Sequence, residues 1–308
     1  MLTSKKKCHT DAFVSVLILI FTFYIIFFFS DVIAEYTIKG LHLCYTSIIG
    51  AVFPFLILTD FIIAYTNFEN IKPITRIFEK LFKINGYGIL AFMCGSLCGY
   101  TVGVKVAAQL YDTKAISKDE FERLISFCNN VSPTYAIMGI GYSMRGSIKD
   151  GVILYLSALL SSILIGMLMN IKQKKSSSTV LVEHPKFNFI NSVKSAASTT
   201  IQICAFIIFF SAVSGTVNTV INNKTVCAFI LALTEVGNAA KIFSNETVFS
   251  DTFSLIATAF SVSFSGFCVH MQVKSILTDE EISMKKYYKA KILQGILAGI
   301  ITAILIKI

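Results

Sequence analysis

The feature that most restricts the fold of this chain is a series of long apolar runs. The clearest runs are residues 12–30, 47–65, 151–169, 201–215 and 292–308. Runs of this kind cross the hydrocarbon core of a membrane, which is roughly 30 Å thick. Charged residues make up only 15% of the chain and the 27 Phe equal Lys and Arg together, whereas soluble domains average about 25% charged residues. The sequence predicts an all-α polytopic membrane protein.

The N-terminal segment combines basic residues with the first apolar run. Three consecutive lysines that begin at Lys5 precede residues 12–30, as in a signal peptide. The apolar part is longer than that of a signal peptide, and no small-residue cleavage site precedes Asp31. We therefore interpret residues 1–38 as a retained anchor helix.

Basic residues are concentrated in the polar segments between the apolar runs. Membrane proteins collect Lys and Arg in cytoplasmic loops, which explains the net charge of +9. A basic stripe with interleaved aromatic residues is missing from the sequence, so no nucleic-acid partner is expected. Residues 172–195 are serine-rich and basic, and we interpret them as a cytoplasmic linker between two halves. The amphipathic residues 67–83 predict a helix that lies along the membrane interface.

The same charges predict a topology. If the N-terminus, residues 67–83 and residues 172–195 are cytoplasmic, run 12–30 leaves the cytoplasm and run 47–65 returns. Three further crossings before the linker would place its lysines on the wrong side. The glycine-rich segment 86–111 is therefore predicted to be re-entrant, which is tolerated only inside protein or beside a wet cavity.

The second half of the chain repeats the first. GYTVGVKVAAQLYDTKAIS from Gly99 aligns with GFCVHMQVKSILTDEEIS from Gly266, with one gap, and Ser265 precedes the second segment. Paired, glycine-interrupted segments in two halves are typical of the binding site of a transporter. We expect repeats at residues 39–171 and 196–308, and opposite entry faces would make them inverted.

Several segments resemble a known family. They are GAVFPFLILTDFI (50–62), CGSLCGYTVGVKVAAQL (94–110), FERLISFCNNVSPTY (121–135), LTEVGNAAKI (233–242) and FSGFCVHMQVKSIL (264–277). Together they resemble the sporulation integral membrane protein family of the YlbJ type, which carries two gate domains similar to nucleoside-recognition domains. The resemblance covers most of residues 40–290. The chain departs from the family pattern at Thr101, where a proline is expected, and at Val104, where a small residue is expected.

The resemblance implies a function. The family is expected to pass dipicolinic acid across the outer forespore membrane during spore formation, within a fold of broken, glycine-rich helices. Gate domains are also distantly similar to concentrative nucleoside transporters, so a nucleoside carrier or other small-solute carrier is an alternative. A scaffold that organises a sporulation complex without transport is a further alternative.

A site for dipicolinate needs a cation or amide donors and a flat apolar wall. Lys105 supplies a positive charge inside an apolar run. Gly99 and Gly103 let backbone N–H groups face a ligand at a broken helix end, where the helix dipole favours anions. Tyr100 or Phe267 would stack on the ring. The alternative for Lys105 is that its side chain extends to the membrane interface.

A second group of candidates follows in the first half. Asn129, Asn130 and Ser132 precede Pro133, between two hydrophobic stretches. Proline cannot continue the preceding helix, and asparagine offers both donors and acceptors to a ligand. We predict an unwound segment here, and a simple helix cap and turn is the alternative.

The second half offers its own polar residues inside apolar segments. His270 and Gln272 align with the positions of Gly103 and Lys105, and a histidine adds a group that titrates near neutral pH. A hydrogen-bonded structural role is the alternative for His270.

Two carboxylates complete the set of candidates. Glu235 and Asn238 lie in AFILALTEVGNAAKIF, where a carboxylate could bind a cation, carry a proton or pair with Lys241. Asp60 lies late in its apolar run and is a lower-ranked pathway candidate.

No motif for catalysis or for a metal is present. The eight cysteines are scattered, without Cys-x-x-Cys or paired histidines. The sequence lacks Gly-x-Ser-x-Gly, a phosphate-binding loop and His-Glu-x-x-His. We therefore expect no enzyme, no cofactor and no metal, with a small anionic solute and the lipid bilayer as partners. Homo-oligomerisation is left open.

Overall fold

The computed structural model describes residues 27–65, 72–171, 187–244, 249–277 and 281–308. These ranges contain helices and no strand, which confirms the predicted all-α class. The helices of the first half are α1 (Ser30–Leu43), α2 (Ile49–Tyr65), α3 (Lys72–Phe82), α4 (Gly88–Cys98), α5 (Val102–Asp112), α6 (Lys118–Ile125), α7 (Thr134–Met144, wound as a π-helix) and α8 (Ile148–Asn170). Those of the second half are α9 (Phe189–Val220), α10 (Lys224–Thr234), α11 (Val236–Phe243), α12 (Asp251–Phe264), α13 (Gly266–Ile276) and α14 (Lys285–Leu305).

Five stretches of the described chain are long and apolar enough to cross a membrane: Ser30–Tyr65, Ile148–Asn170, Phe189–Val220, Asp251–Ile276 and Lys285–Leu305. Four of them overlap the four later apolar runs recognised in the sequence. The stretch Asp251–Ile276 was not predicted as a span, because its serines and threonines dilute the apolar signal.

The first described helix corrects the predicted topology. A π-helical turn at Cys44–Ile48 joins α1 to α2, so the chain runs as one helix from Ser30 to Tyr65. The expected reversal of the chain between runs 12–30 and 47–65 is therefore wrong for the described residues, and the limit of an anchor at residue 38 falls inside a helix. Most of run 12–30 lies outside the described residues. The prediction that segment 86–111 is re-entrant relied on the number of crossings that precede it. That number is no longer supported.

The expected linker is shorter than residues 172–195. Residues 172–186 lie outside the described ranges. Asn188 then caps α9, because its side chain accepts a hydrogen bond from the backbone N–H of Asn191. Residues 189–195 therefore belong to a helix of the second half.

The order of elements recurs in the two halves. A long helix is followed by two short helices, then by an interrupted helix, and then by another long helix. In the first half these are α2, the pair α4 and α5, the interrupted α6–α7 and finally α8, with α3 inserted. In the second half they are α9, the pair α10 and α11, the interrupted α12–α13 and α14.

This order differs from the alignment predicted from the sequence. Gly99 lies at the tip between two helices that fold back on each other, since Gly95 and Gly103 approach closely. Gly266 instead lies inside the long stretch Asp251–Ile276. The aligned segments are thus different kinds of element, and α13 corresponds in order to α7 rather than to α5.

Polar clusters close the two ends of the bundle. At one end, Asp119 of α6 contacts Lys286 at 2.8 Å and Lys118 contacts Glu281 at 3.0 Å. At the other end, Arg145 contacts Asp150 at 2.8 Å and also pairs with Asp251. We call these the Asp119 end and the Arg145 end.

The length of helix α14 gives the distance between these ends. Lys286 lies in its first turn. Gly295 of α14 packs on Phe260, and Gly299 packs on Ile256, so α12 runs antiparallel to α14 and its first residue lies toward the last turn of α14. A helix of this length is about 30 Å long. The two ends are therefore separated by roughly the thickness of a hydrocarbon core.

Gly95 allows the closest backbone approach of the first hairpin. A methyl group at Gly95 would overlap the carbonyl oxygen of Cys128. We predict that Gly95→Ala lowers the free energy of unfolding by about 1–3 kcal/mol, the usual cost of overpacking. The measurement is thermal unfolding of the purified protein in detergent.

Gly50→Ala is the matched control, because nothing lies within 4 Å of a methyl group placed there. Alanine is the better helix former, so this variant should be as stable as the parent or more stable. Equal melting temperatures for Gly95→Ala and the parent protein would contradict the close approach.

Candidate functional site

The tip of the first hairpin connects α4 to α5 through three residues, two of which have positive φ. Gly99 has φ +100° and Thr101 has φ +69°. Gly95 and Gly103 lie on the facing sides of the two helices, where any side chain would meet backbone atoms of Ala91 or Cys128. These two glycines of the motif Gly95–Gly99–Gly103 therefore serve close packing of the hairpin, and Gly99 serves its turn.

The unwound segment predicted before Pro133 is present. Residues 126–132 are not helical, and Asn129 and Asn130 are fully buried there. The side-chain oxygen of Asn129 accepts a hydrogen bond from the backbone N–H of Thr101 at 2.9 Å. Ser132 accepts one from the N–H of Tyr135 and so acts as a cap, as the alternative interpretation expected. Asn129 thus connects the segment to the hairpin tip.

The second pair of short helices also folds back on itself. The rings of Phe229 in α10 and Phe243 in α11 are 6.1 Å apart. Glu235 lies between the helices and accepts hydrogen bonds from the N–H groups of Gly237 and Asn238, each at 2.7 Å. Its carboxylate caps α11, and no pair with Lys241 is found among the described residues.

The second interrupted helix breaks at Ser265 and Gly266. Both have positive φ, +78° and +64°. A methyl group at Gly266 would lie 3.1 Å from the carbonyl oxygen of Thr234 and 3.4 Å from the nitrogen of Glu235. The break in this helix therefore touches the tip of the second hairpin.

Contacts between the halves bring all four interruptions together. The hydroxyl of Tyr100 donates to the carbonyl oxygen of Val262 at 2.6 Å, and the hydroxyl of Ser265 donates to the same oxygen at 3.5 Å. The hydroxyl of Tyr135 would lie 3.1 Å from a methyl group at Gly237. Four helices begin at these interruptions, namely α5, α7, α11 and α13. Their positive dipole ends are thereby gathered in one region of the molecule.

Side chains of α14 extend this region and were missed in the sequence. Tyr287, Lys291 and Gln294 are each 0% exposed. Tyr287 accepts a hydrogen bond from the Nδ2 of Asn129 at 2.9 Å and lies 3.0 Å from Nδ1 of His270. Lys291 donates to the carbonyl oxygen of Asn129 and to the side-chain oxygen of Gln294, both at 2.8 Å.

The sequence contains a pattern that identifies these three residues. Positions 287, 291 and 294 lie on one face of a helix. The last apolar run of the sequence begins at residue 292, so Lys291 falls just outside it. The spacing of polar residues across that boundary would have identified the face.

The other residues predicted for the site lie in different parts of the molecule. His270 and Asn130 belong to the central network, since Asn130 accepts a hydrogen bond from Gln294 at 2.9 Å. Gln272 is buried, and its side-chain amide donates a hydrogen bond to the sulfur of Cys268 in its own helix at 3.4 Å. Lys105 is half-buried in α5, and it takes part in none of the hydrogen bonds of the centre that the structure describes.

Asp60 lies in a separate cavity of about 310 Å³ between α2, α5 and α9. Its carboxylate accepts hydrogen bonds from Gln109 and Ser192. Asp112 and Thr113 also line this cavity. The structure thus places several predicted candidates in a central region and Asp60 in a cavity beside α5, and Lys105 belongs to neither.

Comparisons with known proteins point in one direction. No protein-family model and no solved structure matches the chain. The chain is similar to the sporulation integral membrane protein YlbJ of Bacillus subtilis (strain 168), with 23% identity over 311 aligned positions that cover 87% of this chain and 76% of the relative. With the five apolar stretches described above, this similarity identifies the chain as an integral membrane protein that resembles a sporulation protein along most of its length.

Proposed function

We propose that the protein is a transporter of a small anionic aromatic solute that acts in spore formation, with dipicolinate as the candidate substrate. The observation that carries the proposal is the meeting of four helix interruptions inside an apolar bundle. Broken helices that meet near the middle of the membrane are the usual binding sites of secondary transporters. The link to sporulation comes from the name of the Bacillus relative, and dipicolinate comes from the family resemblance.

The two hairpins support a re-entrant arrangement. The helices α4 and α5 have 11 residues each, so each arm is about 16 Å long and reaches only halfway through the hydrocarbon core. The base of the first hairpin lies toward the Asp119 end, next to Lys118. The base of the second lies toward the Arg145 end, because the carbonyl of Phe243 accepts a hydrogen bond from Ser254, which also contacts Arg145. Entry from opposite ends makes the two halves inverted repeats.

The chemistry of the centre favours an anion over a neutral nucleoside. Four helices start there, and the dipoles of helix N-termini stabilise negative charge. Glu235 occupies one of these N-termini through its own carboxylate, which illustrates the preference. The phenol of Tyr100 contributes an aromatic wall beside them.

The same features argue against a scaffold without transport. A scaffold presents its polar residues to partners on loops, whereas here Asn129, Asn130 and His270 are buried inside the bundle. Polar and ionisable residues inside a membrane are costly, and they commonly mark the path of a substrate or an ion. Ion pairs at the Asp119 end and the Arg145 end join the first half to the second half. Breaking one set at a time would open the centre to one side of the membrane.

The purified protein in liposomes should take up dipicolinate with saturable kinetics, because the centre is a binding site and not an open pore. Uridine at the same concentration should not compete, since it lacks the negative charge. The measurement is uptake of labelled dipicolinate against empty liposomes. Uptake no faster than in empty liposomes would refute the proposal, and uridine uptake in competition with dipicolinate would favour a nucleoside carrier.

Inverted entry of the hairpins predicts opposite labelling of their bases. In a cysteine-free background, Lys114→Cys lies beside the first hairpin and Lys224→Cys begins the second; both lysines are exposed. A membrane-impermeant maleimide should label the two cysteines from opposite sides of the membrane.

Glu281→Cys is the control for sidedness, because Glu281 contacts Lys118 at 3.0 Å and so shares the Asp119 end with Lys114. It should be labelled from the same side as Lys114→Cys. Labelling of Lys114→Cys and Lys224→Cys from one side would rule out inverted repeats.

A further inference from the structure

Lys291 differs from the other buried cations of the described chain. The side chains of Arg123 and Arg145 are 5% and 4% exposed, and each is paired with a carboxylate. Lys291 is 0% exposed, and no carboxylate pairs with it among the residues that the structure describes. Its two hydrogen-bond partners, the carbonyl of Asn129 and the side-chain oxygen of Gln294, are neutral.

A buried charge without a counter-charge destabilises the protein. Removing one partner from a buried ion pair is strongly destabilising, because the remaining charge has lost its solvent and gained no opposite charge. Ionisable residues inside a membrane therefore pair or mark a pathway. Extension to the interface is excluded for Lys291, because its ammonium group is buried and donates inward to Asn129. The missing negative charge is best supplied by a ligand.

A second observation points to the same place. The Nε2 atom of His270 is buried and has no hydrogen-bond partner, while the residue is 0% exposed. Its Nδ1 atom contacts Tyr287, which is joined to Asn129 and through it to Lys291. An unsatisfied ring nitrogen is thus connected to the unpaired ammonium group.

The surroundings of His270 favour an aromatic ligand. Its ring meets those of Phe264, Phe267 and Tyr288 at centroid distances of 4.8, 6.0 and 5.6 Å. Edge-to-face contacts of this kind stabilise packed rings. Aromatic walls, one cation and one free imidazole nitrogen suit an aromatic ring that carries a carboxylate.

We infer that Lys291 is the counter-charge for the carboxylate of the transported solute, and that His270 completes the site through its free ring nitrogen. The inference rests on the proposed transport function, and it names the residue that binds the anion. That residue is Lys291, in place of Lys105, which the sequence suggested. A purely structural role for Lys291, that of satisfying the freed carbonyl of Asn129, is the competing explanation.

The test is ligand-induced thermal stabilisation in detergent, with dipicolinate and its neutral diamide as probes. Lys291→Gln keeps a hydrogen-bond donor and removes the charge, while Lys291→Arg keeps the charge. Lys289→Met is the matched control, since Lys289 is exposed on the same helix. Dipicolinate should stabilise the parent, Lys289→Met and, more weakly, Lys291→Arg, and the diamide should stabilise none of them.

For Lys291→Gln we expect dipicolinate to bind at least about tenfold more weakly, as is usual when one partner of a buried charge pair is removed. Without ligand, this variant should melt at the same temperature as the parent or higher, because the unpaired charge is gone. A lower ligand-free melting temperature together with undiminished binding would show a structural lysine and overturn the inference.

Other outcomes separate the inference from the proposed function. Stabilisation that requires Lys291, without any uptake in liposomes, would uphold the anion site and refute transport. Uptake that Lys291→Gln leaves unchanged would uphold transport and refute the role of Lys291. If Lys291→Gln does not fold, equal stabilisation of the parent by dipicolinate and by the neutral diamide, or no stabilisation by either, overturns the inference.

Discussion

A helix that stops inside a membrane frees backbone N–H and C=O groups that lipid cannot satisfy. Four helices stop in this way in the present bundle, and side chains satisfy several of the freed groups. Asn129 accepts from the N–H of Thr101, Glu235 accepts from two N–H groups of α11, and Lys291 donates to the carbonyl of Asn129. The four interruptions therefore depend on one another and must lie together.

This constraint explains the unusual residues around the centre. Small residues are required where a hairpin tip touches an unwound segment, as at Gly95 and Gly266. Amide side chains are required where backbone needs both a donor and an acceptor. Lys291 satisfies the freed carbonyl of Asn129, but a neutral donor would satisfy it as well, so the backbone requires no charge at this position. Function is the better explanation for that residue.

Much of the fold was predictable from the sequence, because apolar length and glycine, proline or polar residues inside apolar runs report directly on spans and breaks. The breaks at Gly99, at Asn129 and beside Ser265 were found in this way. The continuous helix Ser30–Tyr65 was missed because its polar residues read as a loop. The pairing of the halves was misjudged because hairpin tips and helix breaks share the same small residues, and only contacts in space distinguish them.

Some residues of the candidate site could be predicted from the sequence, and others could not. Asn129, Tyr100 and His270 were recognised as isolated polar or aromatic residues in apolar segments, and they meet at the centre. Lys291 was missed because it borders the last apolar run, whereas Lys105 attracted attention because it lies inside one. Burial favours Lys291 over Lys105 as the residue that binds the anion. Burial depends on tertiary packing, so the local sequence does not reveal it.

The most direct measurement of the central claim is an experimental structure of the protein with dipicolinate bound. Ligand density between the four interruptions, with a carboxylate within hydrogen-bonding distance of the Lys291 ammonium group, is the predicted result. Density confined to the cavity beside Asp60, with Lys291 still bonded only to Asn129 and Gln294, would contradict it.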